Sequence, residues 1–377
     1  MKKKIAIVLD VKKYDWNGGI NYFNNLINII NLKNYNFYII TGFSTKIDKS
    51  LFDSNFKFIK SKFCDPYSLG WFLRKIIFKI FQTDILLIKF LLKKKFEFVS
   101  HSISLGKQKK IKVINWIADL QPLILKNNYK SRDIKKHYNQ FNQFLKFSDK
   151  LIFSSFTEKE KFERIYNVQN KKKLFVFKNI PKIIKKKKIV NFEKLQKKFN
   201  IKKNFFFIPN QFWKHKNHLC LFKAIKQLKK YNLEFIFSGN INDYRHEKYY
   251  KSLKNFIKLN NLKNNIKILG NISYNDVVSL IIHSKALINP SNYEGWSTSV
   301  EEAKIYKKFM ILSDIDTHLE QVKNRNFFFK KNDYKSLKDK ILYFSKKKTI
   351  KHSYAQIQKN YYKRTLIKKN QIKNIYV

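Results

Sequence analysis

The chain is poor in the residues that staple, kink or loosen a backbone. Its 377 residues include two cysteines (Cys64 and Cys220), five prolines and eight glycines. Two cysteines in different halves exclude a disulfide scaffold and a cysteine-rich zinc site, and the expectation is two free thiols in a reducing compartment. An average chain of this length would hold about 26 glycines and about 19 prolines. Acidic residues are scarce too: 26 Asp and Glu stand against 80 Lys and Arg, a formal net charge of +54. Long uncharged apolar runs are also missing. The most apolar stretch, Gly70 to Leu92, is interrupted by Arg74, Lys75, Lys79, Asp84 and Lys89. A bilayer span needs about 20 largely uncharged residues, so this stretch is not one. The start, MKKKIAIVLD, runs through only Ile5 to Leu9 before Asp10. That is too short for a signal peptide and reads as a first buried strand.

What is present is apolar and aromatic bulk. A content of 44% hydrophobic and 16% aromatic residues excludes a disordered basic tail and is ample for two cores. Length alone points to two domains, at about 150 residues each. The lysines are spread along the whole chain beside much Asn, Ile, Phe and Tyr. Two readings stay open: a global compositional drift, or a selected polyanion-binding surface. Both predict attraction to anionic surfaces at low salt. The Gly70–Leu92 stretch reads as two helices divided at Thr83-Asp84, where either residue can cap the second. They are either a buried pair or a surface segment with the aromatic and lysine content of a membrane interface.

Short β-branched and aromatic runs alternate with helical periodicity throughout. The strands expected in the first half are 5–9, 37–41, 96–100, 112–116, 151–154 and 174–177. In the second half they are 205–209, 234–238, 266–269, 286–289, 309–313 and 327–329. Strand-helix alternation predicts an α/β protein with two doubly wound parallel sheets. The boundary is expected near 190, inside a linker holding the run Lys185 to Lys188, with domains 1–190 and 191–349. Residues 350–377 read as a helical tail that packs back towards the N-terminal domain.

Three strand-to-helix loops could carry chemistry. Gly18-Gly19 follows the first strand, where paired glycines and free helix amides suit a phosphate, although the pattern is not GxGxxG. The run Gln211-Phe-Trp-Lys214-His215-Lys216-Asn-His218 lies at the mouth of the second sheet. His215 and His218 lack nearby partners for a metal, and phosphate binding by Lys216 and Gln211 is the better reading. The richest loop is Asn289-Pro-Ser-Asn-Tyr-Glu294-Gly295-Trp296-Ser297-Thr-Ser-Val-Glu-Glu302-Ala. Glycine and helix-start amides suit a diphosphate, while the carboxylates suit sugar or ribose hydroxyls. A plain capped helix with two solvated glutamates is the competing reading. Asp314 and Asp316 form a DxD that imitates a metal pair, but no metal site is expected.

With Pro290-Ser291, Glu294-Gly295 and Glu302-Ala303 in register, the chain resembles the retaining GT-B glycosyltransferases often called family 4 or group 1. The runs 210–218, Trp116 to Gln121 and Ser313 to Val322 resemble that family as well. The resemblance spans nearly the full chain and implies a GT-B fold, two Rossmann-like domains facing a cleft. Gly18 and Gly19 then match the glycine loop beside donor phosphate and acceptor. Lys216 matches the lysine that neutralises the donor diphosphate. Glu294 matches the glutamate facing the transferred sugar, with the backbone of Gly295, Trp296 and Ser297 nearby, and Glu302 the one that holds ribose hydroxyls. Gly270, Asn271 and Ile272 stand where the nucleobase packs, and Gly239 in another donor-side loop. Two positions depart. Gln211 replaces the family's arginine, with Lys214 able to restore charge, and a histidine common after Asp119 is absent. Asp119 is then the best polar catalytic candidate in the N-terminal domain, with His101 another.

The implied activity is transfer of a hexose-type sugar from a GDP- or UDP-linked donor to a glycan or lipid-linked acceptor, without a metal or other cofactor. The expected place is the cytoplasm, with peripheral contact at an anionic inner membrane face. Competing readings are a nucleotide-sugar epimerase or phosphorylase-like enzyme on the same fold, and a basic nucleic-acid-binding protein. The last rests on charge alone, with no RNP, KH, zinc-finger or helix-turn-helix signature, so nucleic acid is not an expected partner.

Overall fold

The computed structural model describes residues 2–376, apart from 15, 31, 203, 244, 350, 351 and 374. Two compact units emerge, one of residues 1–124, 131–181 and 365–377, the other of 125–130 and 182–364.

The first unit holds β1 (Lys3–Leu9), β2 (Lys13–Tyr14), β3 (Tyr35–Thr41), β4 (Lys46–Ile47), β5 (Phe56–Lys60), β6 (Phe98–Ser100), β7 (Lys112–Ile117), β8 (Lys150–Phe153) and β9 (Leu174–Val176). Seven of these form a parallel sheet in the order β5-β3-β1-β6-β7-β8-β9, and β2 pairs with β4 apart from it. The alternation of the pleat sorts each strand onto two cores. From β1, Ile5, Ile7 and Leu9 enter one cluster with Phe23 and Leu26 of the helix Asn17–Ile29, while Ala6 and Val8 enter another with Leu87 and Leu91. Burial on both faces is what a parallel sheet demands. The strand β5 is absent from the sequence-based expectation. Its lysines, Lys57 and Lys60, interrupt the apolar run because it is an edge strand with one covered face.

The second unit holds β10 (Phe205–Ile208), β11 (Glu234–Phe237), β12 (Ile266–Ile268), β13 (Ala286–Asn289), β14 (Phe309–Ser313) and β15 (Phe328–Phe329) in the parallel order β12-β11-β10-β13-β14-β15. Here too Phe206 and Ile208 enter one cluster and Phe205 and Phe207 the other. In both sheets the chain steps outward on one side and then returns to the far side of its starting strand. That makes β1/β6 and β10/β13 the switch points, outside whose carboxyl ends ligands of open α/β sheets bind.

The division falls between Pro181 and Lys182, not near 190. The segment that reads as a linker is tied into the second unit. The Ile184 amide donates to the Tyr306 hydroxyl at 3.3 Å, its carbonyl accepts from Tyr354 at 2.7 Å, and the Val190 amide donates to Ser279 at 2.9 Å. The tail's helix, Tyr354–Lys373, begins in the second unit and ends in the first, where Ile372, Ile375 and Tyr376 join the core.

Candidate active site

At the switch point of the second unit, β10 leads into Pro209–Asn217 and β13 into Pro290–Ser297. Asn217, in the left-handed region at φ 56°, turns the chain from a 3₁₀ turn at Lys214–Lys216 into the helix His218–Gln227. The Asn292 amide donates to the His215 carbonyl at 2.7 Å and ties the two loops together. Lys216 Nζ then reaches both carboxylate oxygens of Glu294, at 2.7 and 2.8 Å. The pair is close to buried, with the side chains 14% and 8% exposed.

Glu294 is held from every side. Its Oε1 accepts from Ser291 Oγ at 2.7 Å and Asn289 Nδ2 at 3.2 Å, and its carbonyl accepts from Thr317 Oγ1 at 2.7 Å. Burial works to raise its pKa, but Lys216, His318 and the Ser291 hydroxyl outweigh it and hold the carboxyl down at about 2. Asn289, fully buried at the end of β13, is the hub. Its Oδ1 accepts from Ser291 Oγ at 2.6 Å and Asn210 Nδ2 at 3.1 Å, and its Nδ2 also donates to Ser297 Oγ at 3.0 Å.

Glu302, one helix further on, sits in a different field. Burial pushes its carboxyl up to about 7, opposed only by a hydrogen bond from the Tyr274 hydroxyl. Tyr274 opens the helix Tyr274–His283. The two glutamates are therefore neither solvated nor alike: one is a locked anion, the other titrates near neutrality. Between them, Glu301 is a structural anchor. It is 1% exposed and accepts from Lys304 at 2.8 Å, from Gln321 Nε2 at 3.2 Å, and from Arg364.

Several polar atoms end here without a protein partner. Gln211 Oε1 is buried and unpaired among the described residues, and so is His318 Nε2. His318 places Nδ1 2.9 Å from the Ser313 carbonyl, which fixes Nδ1 as the donor and leaves the Nε2 lone pair unused. Burial brings this ring down to about 4, against the pull of Glu294.

The other residues singled out in the sequence divide. Gly239 needs to be glycine, because at φ 140° a Cβ would stand 2.7 Å from the Asn210 carbonyl oxygen. Its amide donates to the Gly270 carbonyl at 2.8 Å, which joins the loops after β11 and β12. Asn271 is exposed and Ile272 half-buried beyond it. Lys214 is exposed, and its amide donates to Asp243 Oδ2 at 3.3 Å. The Ser297 amide already donates to Gln321 Oε1 at 3.2 Å, and Gln321 Nε2 donates back to the Ser297 carbonyl at 3.0 Å. Gln321 therefore sets the pitch of the loop before the helix Thr298–Ile305. Asp314 Oδ1 accepts from the Lys331 amide at 2.7 Å.

The remaining candidates belong to the first unit. The space beside Gly19 is taken by the protein itself, since a Cβ there would lie 2.4 Å from the Trp16 ring and 2.5 Å from the Tyr14 hydroxyl. Gly18 meets the same indole at 3.0 Å. Trp16 stacks on Trp116, whose ring lies 3.7 Å from that of Tyr22. His101 is enclosed: Nε2 lies 3.1 Å from the Tyr22 hydroxyl, Nδ1 2.6 Å from Ser100 Oγ, and burial brings it down to about 3. Both ring nitrogens are engaged, so His101 is part of the scaffold. Asp119 is half-buried after β7, with Oδ1 accepting the Gln121 amide at 3.0 Å.

Sequence reasoning missed Asn289, Tyr274, His318 and Gln321 as functional parts. Asn289 had a signal, a polar residue closing an otherwise apolar strand; Tyr274 had none.

Residues 191–364 match the family model described as Glycosyl transferases group 1. A stretch of 260 residues is 28% identical to the O-antigen chain mannosyltransferase RfbU of Salmonella typhimurium, taking in 68% of this chain and 66% of that one, just under two thirds of its length. Among solved structures, a glycosyltransferase from Rickettsia africae superposes with a TM-score of 0.64 at 18% identity, over 100% of this chain and 94% of the other. HepE of Anabaena, solved with UDP and glucose, does so with a TM-score of 0.65 at 14% identity, over 99% and 94%. Identities this low speak for the fold alone. The matched region contains the whole Lys216–Glu294–Glu302 arrangement, so the likeness to glycosyl transferases group 1 is carried by residues 191–364, while the chain as a whole shares the GT-B fold of these solved glycosyltransferases.

Proposed function

We propose that this enzyme moves a hexose-type sugar from a GDP- or UDP-linked donor to a glycan or lipid-linked acceptor, with retention and without a metal, in polysaccharide or cell-surface glycan assembly. The observation that carries it is the Lys216–Glu294 ion pair at the switch point of the second sheet. A donor diphosphate competes for the Lys216 ammonium. Once Lys216 turns to phosphate, Glu294 keeps Ser291 and Asn289 and presents its carboxylate to sugar hydroxyls, while Glu302 accepts from a ribose. When the bond between anomeric carbon and diphosphate oxygen breaks, Lys216 stabilises the charge that develops on the leaving group. The acceptor oxygen bonds to the same face of the anomeric carbon, and its proton passes to the departing diphosphate. Asp119, Gly18 and Gly19, on the first unit, are the acceptor-side candidates. Gln211, half-buried with its carbonyl oxygen unpaired, stands ready to accept from a ligand hydroxyl or amide.

The acceptor class is supported by likeness to an O-antigen chain mannosyltransferase, and the donor class by the fold shared with a protein solved with UDP and glucose. A cytoplasmic place at a membrane face belongs to the same reading. The test is a panel of UDP-, GDP- and dTDP-sugars read by thermal stabilisation and slow donor hydrolysis. One base should stabilise wild type and not Lys216→Met. No response to any member of the panel would sink the reading.

A further inference from the structure

The helix Leu69–Phe81 is mounted the wrong way round for a water-soluble surface. Its arginine faces inward. Arg74 is 2% exposed, with Nε 2.7 Å from Asp84 Oδ2 and one terminal nitrogen 3.2 Å from Asp10 Oδ2 and 2.9 Å from the Phe63 carbonyl. Its apolar residues face outward. Leu69 is 76% exposed, Phe72 58%, Leu73 45%, Ile76 44% and Ile80 66%. The spacing i, i+3, i+4, i+7, i+11 puts these five within about 100° of helical arc, one continuous stripe. Tyr67 and Phe81 extend it at either end, both exposed. A scattered exposed leucine needs no explanation, but a contiguous stripe on a helix anchored through its arginine does.

The mount is firm at both ends. Ser68 caps the helix through the Trp71 amide at 3.2 Å, and Gln82 ends it in the left-handed region at φ 52°. The ion pairs of Arg74 fix its rotation, so the stripe points outward without any rearrangement. Cations border it. Lys12 Nζ lies 4.1 Å from the Tyr67 ring centre, Lys75 Nζ 5.3 Å from that of Trp71, and Lys62 and Lys79 are exposed alongside. Lys75 is held by Asp10 at 2.7 Å.

We propose that this helix is an interfacial anchor that lies in the plane of an anionic bilayer, its stripe sunk to the headgroup boundary and Lys12, Lys62 and Lys79 on lipid phosphates. Among the described residues no helix is long and apolar enough to cross a membrane, so the contact proposed is with one leaflet. Charge selects this occupant. A second copy docking through the same stripe would bring its own lysine border against this one, on a chain of net charge +54. An anionic lipid surface complements both stripe and border. The inference rests on the membrane part of the proposed function and not on its transfer chemistry, so its failure leaves the donor site untouched.

The test is co-sedimentation with phosphatidylglycerol–phosphatidylcholine vesicles and with pure phosphatidylcholine vesicles, at low and high salt. Wild type should bind the anionic vesicles and retain a fraction in high salt, because the inserted stripe is not screened. The triple variant Phe72→Ser/Ile76→Ser/Ile80→Ser should bind at least about tenfold more weakly and be stripped completely by salt. Lys12→Glu/Lys79→Glu should weaken binding at low salt more than Lys338→Glu/Lys340→Glu, on a helix of the second unit. Equal losses in the two charge variants, or a triple variant that binds like wild type, would overturn the anchor. In an otherwise unchanged chain, Ile76→Cys carrying an environment-sensitive fluorophore should shift to the blue on anionic vesicles. No shift overturns the anchor. So does stripe-dependent self-association without vesicle binding, which would assign the face to a second copy.

Discussion

The two switch points are built alike and finished differently. At β1/β6 the protein has filled its own crevice: Trp16 lies against Gly18 and Gly19, Trp116 stacks between Trp16 and Tyr22, and His101 is closed in by Tyr22 and Ser100. At β10/β13 charge is concentrated, with a buried ion pair, a glutamate carboxyl raised by burial to about 7 and, among the described residues, unpaired polar atoms on Gln211 and His318. Buried polar groups normally find partners inside the fold, and those that do not mark where something else supplies them. The first crevice is packed with its own aromatic rings, and the second holds the buried ion pair.

The contrast breaks most visibly at Tyr376. This residue, one from the chain end, is buried in the first unit, with its hydroxyl 2.9 Å from Ser100 Oγ. Tyr376→Ala should cost about 3–5 kcal/mol of stability by emptying an aromatic-sized space. Denaturant unfolding of wild type and variant measures it, and a loss under about 1 kcal/mol would show that the tail is not part of that core.

Next is the ion pair. Lys216→Met should destabilise by roughly 3 kcal/mol, since it strands the buried Glu294 charge, and should abolish donor-induced stabilisation. Adding Glu294→Gln should restore much of the folding stability and none of the transfer. That split separates structure from chemistry. With Glu294→Gln alone, loss of a charged hydrogen bond to substrate should lower turnover at subsaturating donor by roughly ten- to a hundredfold. Unchanged turnover would remove Glu294 from the site.

Glu302 gives a subtler signal. Without ligand its carboxyl is raised to about 7, so it is mostly protonated below that pH. On the proposed reading ribose hydroxyls donate to this carboxylate, so binding favours the charged form. Donor affinity should therefore rise as pH increases through about 7, and Glu302→Gln should flatten the profile. A profile that falls with pH, or survives the substitution, excludes this role. The smallest expected effect is that of EDTA. On the proposed reading Lys216 neutralises the diphosphate, and Asp314 is bonded to the Lys331 amide, so chelation should leave transfer unchanged. Loss restored by Mn²⁺ would show that a metal does that work instead.

The sequence by itself determined the alternation of strands and helices, because short apolar runs bounded by polar stretches have few other ways to be buried. It determined the loop with Glu294 and Glu302 as well, since residue types at fixed spacing after a strand are readable locally. It missed β5, whose lysines disguise an edge strand, and it placed the domain division in a lysine run that hydrogen-bonds into the second unit. Only the tertiary structure decided which glutamate is locked and which is poised, since that depends on Lys216, 78 residues away in the chain, and on Tyr274. It alone showed that Arg74 points inward and the isoleucines outward. Periodicity finds the apolar face of a helix, but which face is buried depends on partners such as Asp10, 64 residues distant. Spacing along a chain is local information, whereas burial and charge are set by whatever the fold brings alongside.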